Sequence, residues 1–170
     1  MNRSVALLLL TATACVPASP PSAPPPPRAP VAAPAPVPPL PALGPDWRDW
    51  PLTPGSWSYS RDARGSTALF GEAGSGALLA LRCDVPERRI HLSVTGAPAG
   101  PATLRTTSTT RTVPLQSSGA QAGTALTATD PILDALAFSR GRFTVEQPGR
   151  APLVMPAHAE LGRVTEDCRG

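Results

Sequence analysis

Prolines are distributed so unevenly along this chain that they limit which part of it can fold. Fourteen of the 24 prolines lie in residues 17–45, a segment that otherwise consists mainly of Ala, Val and Ser and carries one charge, Arg28. Such a segment has little apolar surface to bury, so we expect an extended polyproline II tether over residues 15–45. The remaining chain, residues 46–170, is long enough for one domain with a single core.

The first 14 residues predict a signal peptide. Arg3 precedes an apolar run over residues 5–10, which is followed by small residues. This run is far shorter than the roughly 20 residues that a membrane-spanning helix needs. Ala12-Thr13-Ala14-Cys15 resembles a bacterial lipobox, in which the cysteine is acylated and becomes the N-terminus, although Ala12 stands where Leu is usual. The same residues fit ordinary signal-peptidase cleavage, so a free periplasmic protein is the alternative.

The number of cysteines favours lipidation. The chain has three cysteines, and acylation of Cys15 leaves an even pair, Cys83 and Cys168, in the folded part. Val16, rather than Asp, after the cysteine favours the outer membrane by resemblance to known sorting rules. We therefore expect an exported periplasmic protein that is anchored to the outer membrane through acylated Cys15. At about 3.1 Å per residue, the tether spans up to roughly 90 Å and suits a spacer.

Charge argues against nucleic acid as a partner. The 15 basic residues are all Arg and the net charge is +3, but Arg3 and Arg28 lie outside the folded part. The folded part has 13 Arg and 12 acidic residues, so it lacks the excess of positive charge that nucleic-acid binding needs.

From residue 46 onward, short apolar runs separated by Gly, Pro and Asp indicate strands and turns. Asp130 as N-cap and Pro131 at the first helical position begin one helix, and Pro156 begins a second. The fold class is therefore α+β: a small antiparallel sheet or sandwich with one or two packed helices. The strands are expected at residues 57–60, 68–70, 77–85, 89–95, 103–113 with room for a bend around Ser108, 126–129, 142–147 and 153–155, and a loop is expected at 116–123.

Both domain cysteines are expected to face the core. Strand alternation places Cys83 on one face with Leu79, Leu81 and Val85, and helical spacing aligns Cys168 with the apolar residues of the last helix. An oxidising periplasm favours a disulfide between them, and two buried free thiols are the alternative.

Several sequence segments resemble a family of uncharacterised proteobacterial envelope proteins over most of residues 57–169. More distantly, the layout is similar to that of invasion-associated periplasmic proteins and of type VI secretion accessory proteins, which also carry an early strand cysteine and a late one. The resemblance implies a secreted, non-catalytic domain and lends no active site. The segments that carry it are Leu81-Arg82-Cys83-Asp84, Leu104-Arg105-Thr106-Thr107-Ser108, Asp130-Pro131-Ile132-Leu133-Asp134-Ala135, Phe138-Ser139-Arg140-Gly141-Arg142-Phe143 and Glu166-Asp167-Cys168-Arg169.

Residues that could carry chemistry are sparse, and we predict no catalytic residue, metal or cofactor. His91 and His158 lack a second ligand at metal-binding spacing, and Asp130 is explained as a helix cap. One pattern suggests an anion-binding or partner-binding patch: Arg105 and Arg111 on one face of a strand, with Arg140 and Arg142 beside the next helix. The alternative is a solvated face whose arginines pair with local acids such as Glu146.

The leading functional hypothesis is therefore a non-catalytic, lipid-anchored module that binds or positions a partner in the periplasm, either an envelope protein or a cell-wall component. Two alternatives remain. One is a hydrolase or transferase that acts on envelope polymers through carboxylates, and the other is a structural tether that binds the cell wall.

Overall fold

A computed structural model describes residues 43–170, which belong to the second of two units into which the chain divides, Met1–Leu40 and Pro41–Gly170. These residues form nine strands, two α-helices and a short 3₁₀ helix, Trp47–Asp49. The predicted α+β class is confirmed. The elements are β1 (Ser56–Asp62), β2 (Gly65–Gly71), β3 (Leu79–Asp84), β4 (Arg89–Thr95), β5 (Gly100–Arg105), β6 (Thr110–Ser118), β7 (Gln121–Thr127), α1 (Pro131–Ala137), β8 (Arg142–Glu146), β9 (Leu153–Pro156) and α2 (Ala159–Arg169).

All nine strands belong to one antiparallel sheet in the order β1-β2-β3-β4-β7-β6-β5-β8-β9. Strands β1 to β4 form a meander through short turns. The connection from β4 to β5 then passes the positions of two strands, and β6 and β7 return the chain to the side of β4. Helix α1 occupies the connection from β7 to β8.

The sheet changes partners within β6. Residues 110–115 of this strand pair with β5, whereas residues 116–118 pair with β7. At the two edges, β1 and β9 approach each other, because Trp57 Nε1 in β1 donates a hydrogen bond to the Pro156 carbonyl at 2.8 Å. The Trp57 ring lies 5.2 Å from that of Phe70 and 6.4 Å from that of Phe143. The inner faces of the sheet therefore enclose a single apolar core.

Strand alternation places the expected side chains in this core. Leu79, Leu81 and Cys83 of β3 are buried, as are Ile90, Leu92 and Val94 of β4. Val85 was expected to continue the inner face, and this prediction is wrong: β3 ends at Asp84, and Val85 lies in the following turn, 46% exposed.

Helix α2 covers the core from the side of β2 and β3 and also packs against α1. It buries Leu161, Val164 and Cys168, and Cys168 is joined by a disulfide to Cys83 of β3, with their Cα atoms 5.5 Å apart. The structure thus brings the two cysteines of the predicted disulfide into bonding distance. The predicted start of the helix at Pro156 is wrong, because Pro156 ends β9 and the N-cap is His158.

The segment before β1, residues 46–54, lies against β8 and β9, and we call it the N-terminal strap. Thr53 donates its N–H to the Val154 carbonyl at 2.8 Å and accepts the Val154 N–H on Oγ1 at 2.9 Å. Trp47 is only 8% exposed. The strap therefore supplies hydrogen-bond partners to the outer edge of β9 and buries an aromatic side chain outside the main core.

Two predicted elements differ from the fold. Residues 103–113 are not one strand but the hairpin of β5 and β6, because the chain turns at residues 106–109. Thr106 Oγ1 accepts the N–H groups of Ser108 and Thr109 at 3.3 and 3.0 Å, a local bond that closes the turn. The predicted loop at 116–123 is likewise a hairpin, with β6 and β7 paired up to Ser118 and Gln121. Among residues 43–170, no helix is long and apolar enough to cross a membrane.

Candidate functional site

The outer face of β4, β6 and β7 carries a groove of about 520 Å³, which we call the polar groove. His91 and Ser93 of β4 line one side, Gln116 of β6 lines the other, and Gly123 and Ala125 of β7 lie between them. These strands are central in the sheet, so the positions of the lining side chains are set by backbone pairing rather than by a loop.

The groove exists because β7 approaches β4 closely where it carries no side chain. Gly123 pairs with Ser93, and a Cβ at position 123 would lie 2.7 Å from the Leu92 carbonyl oxygen. Only glycine tolerates such an approach without displacing backbone. The change of partner within β6, after Leu115, lies beside this point and opens the groove further.

The chemistry of the polar groove is hydrogen bonding without fixed charge. Hydroxyl and amide side chains from Ser and Gln line it, together with His91, whose Nε2 lies 3.9 Å from Glu87 Oε2. A neutral ligand rich in hydroxyl or amide groups suits this surface better than an anion does. Sequence reasoning missed the groove, since it placed residues 116–123 in a loop; the signal present was Gly123 inside an otherwise strand-like segment.

The four arginines of the predicted patch lie in different parts of the domain, each with different neighbours. Arg105 forms a two-pronged ion pair with Glu146, from Nε to Oε1 at 2.8 Å and from Nη2 to Oε2 at 3.2 Å. The hydrogen bonds from the Arg105 guanidinium hold the pKa of Glu146 below its ordinary value. Burial of the carboxyl acts in the opposite direction, and a hydrogen bond from the Thr144 hydroxyl adds to the lowering. Arg105 is therefore matched by a local acid.

Arg111 and Arg142 lie elsewhere. Arg111 pairs with Leu104, and Arg105 with Thr110, so the two arginines project from opposite faces of the β5–β6 hairpin. Arg111 Nη1 lies 2.5 Å from Asp130 Oδ1, and Arg142 Nη1 donates to the Trp50 carbonyl at 2.5 Å. Each guanidinium thus fixes part of the fold, respectively the start of α1 and the N-terminal strap.

Arg140 differs from the other three, because its side chain is exposed and has no ion pair or hydrogen bond among residues 43–170. Its backbone N–H is bound by Thr107 Oγ1 at 3.0 Å. The four arginines therefore do not form one continuous face, and an anion-binding role for them stays a prediction.

Other candidate residues have structural partners. Asp130 is the N-cap of α1 and accepts the Ile132 N–H at 3.0 Å, as predicted. Asp134 pairs with Arg169 at 2.9 Å, and His158 contacts Glu160. Within the described part of the chain, no three His, Cys, Asp or Glu residues are grouped so that they could hold a metal ion. Cys15, the predicted lipidation site, lies outside the described residues.

Comparisons with protein-family models, with curated proteins and with solved structures find no match. The resemblance to envelope proteins therefore stays a prediction.

Proposed function

We propose that this protein is a non-catalytic module of the bacterial cell envelope, anchored through acylated Cys15, that holds a partner through the polar groove. The predicted leader and proline-rich tether support export and anchoring. The Cys83–Cys168 disulfide supports the same location, because such bonds persist in oxidising compartments.

The observation that carries the proposal is the polar groove itself. It encloses about 520 Å³, and its lining offers neutral donors and acceptors at fixed positions on three paired strands. Sites of this kind bind by many weak hydrogen bonds to a rigid surface. The glycan strands of the cell wall carry hydroxyl and acetamido groups without charge on the sugar rings. A cell-wall glycan is therefore the partner that the groove fits best.

The carboxylates favour a binding role over catalysis. All 12 acids of the chain lie in the described part, and all except Asp49 and Glu72 form an ion pair with Arg or a contact with His. Polymer hydrolysis through acid and base carboxylates needs two such groups free and facing each other across a cleft. Pairing with arginine keeps a carboxylate ionised and occupied, so it serves poorly as a proton donor.

Binding to purified cell-wall sacculi tests this proposal. We expect the full exported chain to co-sediment with sacculi. Ser93→Arg and Gln116→Arg should each weaken retention roughly tenfold, because a long charged side chain would fill the groove and displace its hydrogen bonds. Ser60→Arg is the matched control, since Ser60 is an exposed strand serine on β1, away from the groove.

Two results would contradict the proposal. One is a wild-type chain that stays in the supernatant, and the other is equal retention of the groove variants and Ser60→Arg. Melting temperatures of the variants establish that each is folded, so that lost retention reports on the groove.

A further inference from the structure

The loop after α1 presents a large aromatic side chain to solvent. Phe138 is 77% exposed, whereas the two other phenylalanines, Phe70 and Phe143, are fully buried. Arg140 projects from the same loop. We call Phe138 and Arg140 the knob. Aromatic and arginine side chains together are the residue types that dominate the binding energy of protein interfaces.

The knob is held in place by hydrogen bonds of the backbone around it. Ser139 Oγ donates to the Arg142 carbonyl at 2.5 Å and accepts the Thr107 N–H at 3.0 Å. The Arg140 N–H in turn donates to Thr107 Oγ1, and the Phe138 N–H donates to the Asp134 carbonyl at 2.9 Å. Because the loop is already ordered, docking of the knob costs little conformational entropy.

The charge of the knob has no partner within the domain. Of the 13 arginines in the described part, only Arg89 and Arg140 have a side chain that forms no ion pair, hydrogen bond or aromatic contact. An exposed aromatic side chain and an arginine without a partner therefore flank the buried Ser139 in one loop.

A complementary surface lies on another part of the same domain. The outer face of β1 and β2 carries a cavity of about 300 Å³, which we call the recess; Leu69 lines it and is 36% exposed. A tight turn borders the recess, since a Cβ at Gly71 would lie 2.5 Å from the Gly76 carbonyl oxygen. Glu72 lines both the recess and an adjoining cavity of about 150 Å³.

Glu72 matches the knob in charge. It is one of only two carboxylates in residues 43–170 without an ion pair, Asp49 being the other. The domain thus carries an apolar side chain beside a free arginine on one surface and a largely apolar recess beside a free glutamate on another.

We propose that the knob of one copy of this chain docks in the recess of a second copy, with the Phe138 ring against Leu69 and Arg140 facing Glu72. The two surfaces are different, so the contact is heterologous and leaves one knob and one recess free on each pair of copies. One aromatic side chain and one rim ion pair form less contact than a permanent dimer has, so association is weak and depends on concentration. This proposal is independent of the polar groove.

Sedimentation velocity with charge-reversed variants tests the contact. The full exported chain carries Cys15→Ser, so that acyl chains do not drive association. We expect its sedimentation coefficient to rise as concentration increases to about 1 mM. Arg140→Glu and Glu72→Arg should each weaken association at least roughly tenfold, because each places like charges in contact. An equimolar mixture of the two variants should restore association, since each knob then meets a recess of opposite charge.

Matched controls separate the contact from general charge effects. Arg89→Glu changes the other arginine whose side chain has no ion pair, hydrogen bond or aromatic contact, and Asp49→Arg changes the other carboxylate without an ion pair; both variants should associate like the parent chain. Phe138→Ala should abolish association, whereas Val85→Ala, at another exposed apolar residue, should not. A parent chain that stays monomeric up to about 1 mM overturns the proposal. A mixture that sediments like its separate components also overturns it, and that test does not depend on either variant alone.

Discussion

The side chains around Asp167 show how single residues tie the last helix to the sheet. Tyr59 Oη of β1 donates to Asp167 Oδ2 at 2.5 Å, and Arg61 of the same strand binds Oδ1. Burial opposes ionisation of Asp167, but the hydrogen bond from Tyr59 and the charge of Arg61 outweigh it and lower the pKa of Asp167. Conversely, burial and the bond to Asp167 raise the pKa of Tyr59. The pair is thus most stable with Asp167 ionised and Tyr59 protonated.

These shifts predict a stability that falls at both ends of the pH scale. A lowered carboxyl pKa contributes stability above the ordinary value of 3.8, which is lost as pH falls through the folded-state pKa. A raised tyrosine pKa contributes stability below 10.0, which is lost as pH rises through the folded-state pKa. We expect Asp167→Asn to cost about 1–3 kcal/mol in the free energy of unfolding at neutral pH and to flatten the acid-side decrease.

Urea unfolding between about pH 7 and about pH 2 measures this effect. The acid-side decrease should shrink but persist, because a hydrogen bond from Arg82 also holds the pKa of Asp62 at about 2. Asp49→Asn, at a carboxylate without an ion pair, is the control and should leave the curve unchanged. If Asp167→Asn and Asp49→Asn gave the same curve, the contact with Tyr59 and Arg61 would contribute nothing to stability.

At the scale of elements, the disulfide adds a covalent link between α2 and the sheet. It joins the helix to β3 across a sequence separation of 85 residues. In the chain-entropy treatment, closing a loop of this length stabilises the folded state by about 4 kcal/mol. We expect Cys83→Ala with Cys168→Ala to lower the free energy of unfolding by up to that amount, measured by urea denaturation. Reductant should lower the free energy of unfolding of the parent chain to nearly that of the double variant. The free energy of unfolding of the double variant should not change when reductant is added.

The elements that the sequence predicts well are those whose pattern follows one physical rule. The β3–β4 hairpin follows strict alternation, and α1 follows a cap, a helix-initiating proline and an apolar stripe. The Thr-rich stretch that forms β5 and β6 follows no single rule of this kind. The Thr106 hydroxyl closes its turn, but threonine is also a residue that favours strands. A composition that suits strand and turn equally could not reveal where the chain reverses.

Surfaces were predicted less well than elements. Alternation places Arg105 and Arg111 on one face only if the strand continues between them, and the turn at residues 106–109 puts them on opposite faces. The polar groove depends on which distant strands become neighbours: β4 pairs with β7 rather than with β5. That pairing joins residues far apart in sequence, and no local pattern encodes it. The knob depends on Phe138 being exposed, and the sequence does not reveal whether an apolar residue at the end of a helix is buried or exposed.

For the whole molecule, both ends of the folded chain are fastened to the sheet. Thr53 of the N-terminal strap bonds to Val154 on β9, and Cys168 near the C-terminus is bonded to Cys83 on β3. Under the proposed anchoring, a force applied from the N-terminal side would act first on the strap and the edge strand β9 rather than on the central strands β4, β6 and β7 that form the polar groove. This arrangement suits a module that holds a partner while its own N-terminal side is anchored.

The intact mass of the exported protein tests this arrangement as a whole. In the membrane fraction we expect a chain that begins at Cys15, carries acyl groups, and gains two hydrogen atoms on reduction as the disulfide opens. Cys15→Ser is the control and should move the protein to the soluble fraction with its disulfide intact. A soluble, unacylated parent chain would contradict the anchoring through Cys15. Binding through the polar groove would then belong to a free periplasmic protein. A mass unchanged by reduction would contradict the disulfide, and with it the fastening of α2 on which the stability predictions depend.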